Sequence, residues 1–271
     1  MSALRVQDIK DGKGPASSLF MSSETPRPVP NTGEALIKRS GNYPVPSQAC
    51  KILGVEFSGT IVKVCDGKEK DNFVVGYEVF GLTYGGAYAE FVSVSTKMLI
   101  HKPNEISWEA AAGILEAWIT AIQTMYFVAN FAAGKSIPWH AGASSVSTAG
   151  IQLSKAYGES TIYTTAEKLL EATGGKEVDI IINFIEQSYF YRNLDSIALD
   201  GRIVIMGLLS GSEVPGRLDL QVFLVELALP KFANGTFRVP VEKIFDWKDI
   251  QETHALMESN MTKGKIICVV K

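Results

Sequence analysis

The sequence predicts an α/β protein in which a compact β-rich barrel precedes a sheet of the nucleotide-binding kind. Short apolar strands broken by glycine occupy the stretch from Glu34 to Val94, a pattern of barrels and sandwiches. The segment from Ser136 to Thr164 reads as strand, tight small-residue turn, helix and strand, the opening βαβ of a nucleotide-binding sheet. Val178–Phe184 and Arg202–Gly207 are continuous apolar runs, as expected of parallel strands covered on both faces.

Taken in order, residues 1–30 are turn-rich, with Asp11-Gly12-Lys13-Gly14 and Pro26, Pro28 and Pro30 marking loops. Strands are expected at Glu34–Lys38, Ile52–Val64 (bent or paired), Gly76–Gly81 and Gly85–Val94. Helices are expected over Ser107–Leu115, opened by Ser107 with Glu109 and Glu116 nearby, and over Trp118–Ala129. Val146, Gly150, Leu153 and Tyr157 recur at helical spacing, and Gly158 stands where a left-handed helix terminus wants no Cβ. A further helix spans Ser188–Leu199, and the tail from Phe237 mixes strand and helix, ending in Gly264–Val270. Pro138 lies inside the central strand, where it removes a ladder donor, so strain is expected there.

Composition sets limits. The 271 residues, 46% hydrophobic, can bury a substantial core. Lys+Arg 26 against Asp+Glu 29 leaves a formal charge of −3, so neither nucleic acid nor an anionic membrane is favoured as a partner. Cys50, Cys65 and Cys268 are dispersed and form no CxxC pair. With no signal-like start and no apolar run of spanning length, a soluble, cytoplasmic protein is expected.

The turn ahead of Val146 carries the chemistry. A helix N-terminus presents unpaired N–H groups and partial positive charge, so a pyrophosphate sits there if no side chain blocks the backbone. Gly142, Ala143, Ser145 and Ser147 keep this turn small, although the dinucleotide fingerprint prefers glycine at most such positions. A hydrolase nucleophile elbow competes for the same turn: Gly142-Ala143-Ser144 supplies its first half, and Asp246 or Asp249 and His254 come later in the required chain order. Against it, the second glycine position holds the β-branched Val146.

Several segments, in this order and spacing, resemble the quinone oxidoreductase branch of the zinc-independent medium-chain dehydrogenase/reductase family. They are Gly41-Asn42-Tyr43-Pro44, Ile52–Gly59, Gly85–Glu90, Glu116-Ala117-Trp118-Ile119-Thr120-Ala121, His140-Ala141-Gly142, Leu199-Asp200-Gly201-Arg202 and Gly264-Lys265-Ile266. The resemblance implies a GroES-like catalytic domain from residues 1–116 and 236–271 and a Rossmann-type domain from 117–235. It implies NADPH as cofactor, with hydride transfer to quinones or α,β-unsaturated carbonyls. Tyr43 matches the tyrosine beside the nicotinamide, and Thr120 a threonine meeting the nicotinamide half. Gly142, Ala143, Ser145, Val146 and Ser147 match the phosphate turn, and Gly207, Leu208 and Leu209 the loop under the nicotinamide. Asn260 and Lys265 match the segment closing over the cofactor. No metal is implied: Val55 stands where the zinc-using relatives have a histidine, and His101, His140 and His254 are too dispersed to supply the three or four ligands zinc needs.

The pattern has gaps between Lys38 and Arg39, between Ala166 and Glu167, and near Phe223 and Leu224. They fall on a catalytic-pocket segment, the adenosine-phosphate loop with its helix and strand, and the sheet-edge strand used for dimer contact plus a nicotinamide loop. A homodimer is accordingly expected only in weakened form. The connection Thr165–Val178 is at the minimum length for a parallel crossover. The alternative reading is therefore a truncated, catalytically impaired relative acting as a binding or scaffold protein.

Overall fold

The structure, a computed structural model, describes residues 3–6, 19–23, 34–38, 52–65, 73–158, 162–163, 169–184, 190–206, 228–259 and 261–270. The chain divides into two compact units, Met1–Glu116 with Lys231–Lys271, and Ala117–Pro230.

The first unit is built on a five-stranded antiparallel sheet. Its strands are β3 (Glu34–Lys38), β4 (Glu56–Val64), β5 (Glu78–Leu82), β6 (Phe91–Ser95) and β7 (Leu99–His101), in the order β6-β3-β4-β5-β7. Phe57, Ile61, Val79, Val92, Val94 and Leu99 form a buried cluster, supplied largely by alternate positions of the strands, as period-two side-chain geometry requires. A separate hairpin pairs β1 (Ala3–Val6) with β2 (Leu19–Ser22).

Strand β4 begins later than the apolar pattern implies. Gly54 has φ +90, and a Cβ on it would lie 2.5 Å from both Ala87 and Tyr88, so the chain bends there at a position open to glycine alone. The Ile52–Gly54 carbonyls instead accept from the amides of Gly86, Tyr88 and Ala87. That use of residues 86–88 is why the strand expected from Gly85 starts only at Phe91.

Helix α1 (Trp108–Ala112) opens at Ser107, whose hydroxyl accepts from the Ala110 amide at 3.2 Å, the expected N-cap. Lys102 secures the approach to it: its ammonium pairs with Glu78 at 3.0 Å, donates to the Ile106 carbonyl and lies over the Trp108 ring. After Gly113, α2 (Leu115–Ile122) begins, and the chain then widens into a π-helical turn over Gln123–Val128. The single helix expected over Trp118–Ala129 is thus two pieces. This unit also holds a parallel pair, β12 (Val241–Asp246) and β13 (Lys265–Val269), joined through α7 (Ile250–Glu258). Tyr88, Phe245, Trp247, Ile250, Ile266 and Cys268 pack as its core.

The second unit contains β8 (Ile137–Pro138), α3 (Ser145–Gly158), β9 (Ile162–Tyr163), α4 (Leu169–Ala172), β10 (Val178–Asn183), α5 (Phe190–Ser196) and β11 (Ile197–Ile205); α6 (Leu229–Ala233) straddles its boundary. Val178, Ile180, Ile181 and Ile182 are all buried, as their continuous apolar run implies. Two parallel ladders form, β8 with β9 and β10 with β11. They are joined by the single bridge Trp139↔Ile182 and by hydrogen bonds from Ile180 to Ser136 and from His140 to Ile182. Pro138 explains the interruption. In this register its nitrogen faces the Ile180 carbonyl and has no proton to donate.

The chain reaches β8 through Gly134, whose amide donates to the Gly158 carbonyl at 2.9 Å. Gly158 itself is helical rather than left-handed: it is the last residue of α3 and is absent from the positive-φ positions. Asp179 fixes the first residues of the strand pair, accepting from the Ser136 amide and hydroxyl and from Lys135. The helix expected to run to Leu199 stops at Ser196, and the chain passes directly into β11, turning at Asp200 with φ +67.

Candidate functional site: the turn between β8 and α3

Strand β8 delivers the chain into the core. Ile137 and Trp139 are fully buried, the Trp139 amide donates to Tyr163 at 2.8 Å, and its indole Nε1 donates to Ser154 Oγ at 3.3 Å. Helix α3 lies against that indole because Gly150 has no side chain: a Cβ there would overlap Trp139 Cζ2 and Cη2. This is the helix–strand packing role of the last fingerprint glycine.

The turn reverses at Ala141, with φ +51, and not at Gly142 as the dinucleotide pattern implies. The Ser144 amide then closes on the Ala141 carbonyl at 2.7 Å, and the Ser144 carbonyl accepts from both the amide and the hydroxyl of Thr148. Ser147, fully buried, donates its hydroxyl back to the His140 carbonyl at 2.7 Å. That hydroxyl is spent tying strand end to helix and is not available to a phosphate. The amides of Gly142, Ala143, Ser145, Val146 and Ser147 make no hydrogen bond among the described residues. Gly142 is exposed to an intermediate degree, as are Ser145 and Val146, while Ala141 and Ala143 lie open to solvent. With no acidic residue in the first turn of this 14-residue helix, the site is electropositive and suits an anion.

His140 sits behind the turn. Burial lowers its pKa from the usual 6.5, opposed by the nearby Asn193 side chain. The ring is therefore a neutral part of the interior.

Thr120 stands half-buried on α2, its carbonyl accepting from the Thr124 hydroxyl at 2.8 Å. Lys265 is engaged elsewhere: its ammonium pairs with Glu56, a buried carboxylate whose other oxygen accepts from the Glu116 amide at 3.1 Å. Sequence reasoning missed Glu56, although a lone acid in the apolar run Ile52–Val62 already requires a partner. Tyr43, Gly207, Leu208, Leu209 and Asn260 lie outside the described residues.

The hydrolase arrangement gains no support. The left-handed residue of the turn is Ala141 rather than Ser144, and Ser144 Oγ makes no hydrogen bond among the described residues. Asp246 accepts from the Lys248 amide to cap a helical turn, and the His254 ring meets the Tyr88 ring edge to face.

A family described as zinc-binding dehydrogenase matches residues 158–268. The chain is 28% identical over 232 residues to a quinone oxidoreductase of Pseudomonas aeruginosa, covering 76% of this chain and 70% of that protein. It is 29% identical over 164 residues to quinone oxidoreductase-like protein 1 of Mus musculus, covering 48% and 47%. The chain is thus similar to quinone oxidoreductases and, over residues 158–268, to zinc-binding dehydrogenases. Its fold is that of the CurK enoyl reductase, with a TM-score of 0.83 at 19% identity over 100% of this chain and 99% of that one. It is an α/β fold that combines GroES-like and Rossmann-type domains. The match spans only 47% of the mouse protein, and 5% of the erythronolide synthase EryA2 of Saccharopolyspora erythraea that the chain also resembles.

The zinc in the matching family's description finds no donor set among the described residues. Val55 is an apolar core residue, His101 is flanked by the rings of Phe73 and Tyr77, and His140 and His254 are enclosed separately. Among the described residues no three His, Cys, Asp or Glu side chains converge. Nor is any described helix long and apolar enough to cross a membrane.

Proposed function

We propose that this chain is a quinone oxidoreductase-like member of the medium-chain dehydrogenase/reductase family, an NADPH-dependent oxidoreductase that passes hydride to a quinone or an α,β-unsaturated carbonyl compound. What carries the reading is the row of unpaired amides at Gly142, Ala143, Ser145 and Val146 ahead of α3, a cradle of the right polarity for a dinucleotide's diphosphate. The names of the relatives agree with an electron-poor acceptor, one being a quinone oxidoreductase and another an enoyl reductase. We assign Met1–Glu116 with Lys231–Lys271 as the GroES-like catalytic domain and Ala117–Pro230 as the Rossmann domain.

NADPH, when bound, supplies the hydride. The chain's own residues bind and orient. The turn amides would hold the diphosphate, and Thr120, with Gly207, Leu208, Leu209 and Asn260, would bind the nicotinamide half. Lys265 secures its segment through Glu56. Tyr43 holds the acceptor carbonyl and relays the proton that completes reduction, taken by an enolate at its α-carbon or by a reduced quinone at oxygen.

Titration of tryptophan fluorescence with NADPH and NADH, together with an assay of quinone-dependent NADPH oxidation, tests this. Saturable quenching with preference for NADPH and turnover are expected; no binding at millimolar cofactor overturns the reading. The parallel ladder broken at Pro138 favours one competitor, a catalytically impaired relative that binds without reducing. Binding with no turnover toward any quinone or enone selects it.

A further inference from the structure

Thr124 is a buried polar residue that the sequence pattern does not single out. It lies in the π-helical turn Gln123–Val128 that continues α2, and it is 1% exposed. Its carbonyl accepts from the Ala129 amide, the wide spacing that defines a π turn. Such turns inside helices occur frequently at functional sites. Its hydroxyl lies within donating distance of two acceptors, the Thr120 carbonyl at 2.8 Å and Met206 Sδ at 3.1 Å, and shares its one proton between them.

These acceptors are far apart in sequence and distinct in role. Thr120 belongs to the helix assigned to the nicotinamide half. Met206 directly succeeds β11, and its amide donates to the carbonyl of Asn183 at the end of β10. Ligands of open α/β sheets bind beyond the carboxyl ends of such strands. A single hydroxyl thus joins the Thr120 helix to the rim where a nicotinamide would lie. A methyl in its place would remove the donor that ties the Thr120 carbonyl to this segment.

We propose that Thr124 is a positioning residue for the nicotinamide half of the cofactor, setting the height of Thr120 above the carboxyl ends of β10 and β11. It does not touch the cofactor, and the diphosphate turn at Gly142–Ser147 does not depend on it. The inference rests on the NADPH reading above.

The test compares the affinities of two probes, intact NADPH and adenosine 2′,5′-bisphosphate, which lacks the nicotinamide. Thr124→Val is expected to weaken NADPH about five-fold, the loss of one hydroxyl bond, while leaving the adenosine probe within about two-fold. Thr124→Ser, which keeps the hydroxyl, restores NADPH affinity. Equal weakening of both probes, or unchanged NADPH affinity, overturns the proposal. If Thr124→Val does not fold, Met206→Leu decides: it keeps the volume and removes the sulfur acceptor, and NADPH affinity that matches the parent protein overturns the proposal. Failure of the parent protein to bind NADPH removes the functional reading and this inference with it, an outcome distinct from insensitivity of the variants alone.

Discussion

The indole of Trp139 fills the space that a side chain on Gly150 would occupy. Strand and helix approach so closely only because one contributes the largest fully buried side chain of the described residues and the other none. The turn between them inherits its shape from that contact.

Gly150→Ala is therefore expected to destabilise by about 1–3 kcal/mol, the usual penalty of overfilling a packed core. It should also shift α3 along Trp139 and weaken NADPH. Thermal unfolding and cofactor titration check both effects. A stable variant with undiminished affinity would mean that the turn is set by other contacts.

Ser145→Asp separates stability from binding. A carboxylate at the first position of α3 faces the positive end of the helix and should stabilise it by about 0.3–1 kcal/mol. The same charge repels a diphosphate, so NADPH affinity should fall more than about ten-fold. Binding that survives while Tm rises would place the cofactor's phosphates elsewhere.

Removing one member of the buried pair, as in Glu56→Gln, leaves the Lys265 ammonium in place at 15% side-chain exposure and weakens the tie to the Glu116 amide. A loss of about 3–5 kcal/mol is expected. Replacing both residues by methionine should recover most of it, and a double-mutant cycle in urea measures the difference. Losses that simply add in the double variant would show the pair to be uncoupled.

Acid stability should fall in two windows. His101, His140 and His254 all have pKa values lowered, chiefly by burial. Neutral in the fold and more readily protonated when unfolded, they withdraw stability as pH falls below their ordinary 6.5. Asp179 acts lower. Burial raises its pKa, but bonds from Lys135 and Ser136 outweigh that and take it from 3.8 to about 2. Its contribution is complete above 3.8 and is lost as pH falls toward about 2. Unfolding curves across pH should show Asp179→Asn flattening only the lower window.

Much of the fold was legible because it is written locally. The stretch Ile180–Ile182 is apolar on both faces, and the Ser107 hydroxyl can cap only the helix that starts at Trp108. The small residues around Gly142 likewise announced a turn. The sequence could not show which residue would reverse the chain, because Ala141 takes the left-handed conformation through packing and not through propensity. Glu56 and Lys265 are 209 positions apart, and no periodicity links them. The π turn at Thr124 looks helical in any short window, since its apolar spacing differs from the α pattern by one residue.

Pro138 leaves a seam in the second unit. With one bridge across it, the leaf containing β8 and β9 can part from the leaf of β10 and β11 before either ladder melts. Deuterium should therefore enter the amides of Ile180 and His140 earlier than those within the ladders, tracing a fault line beside the turn proposed to grip the dinucleotide.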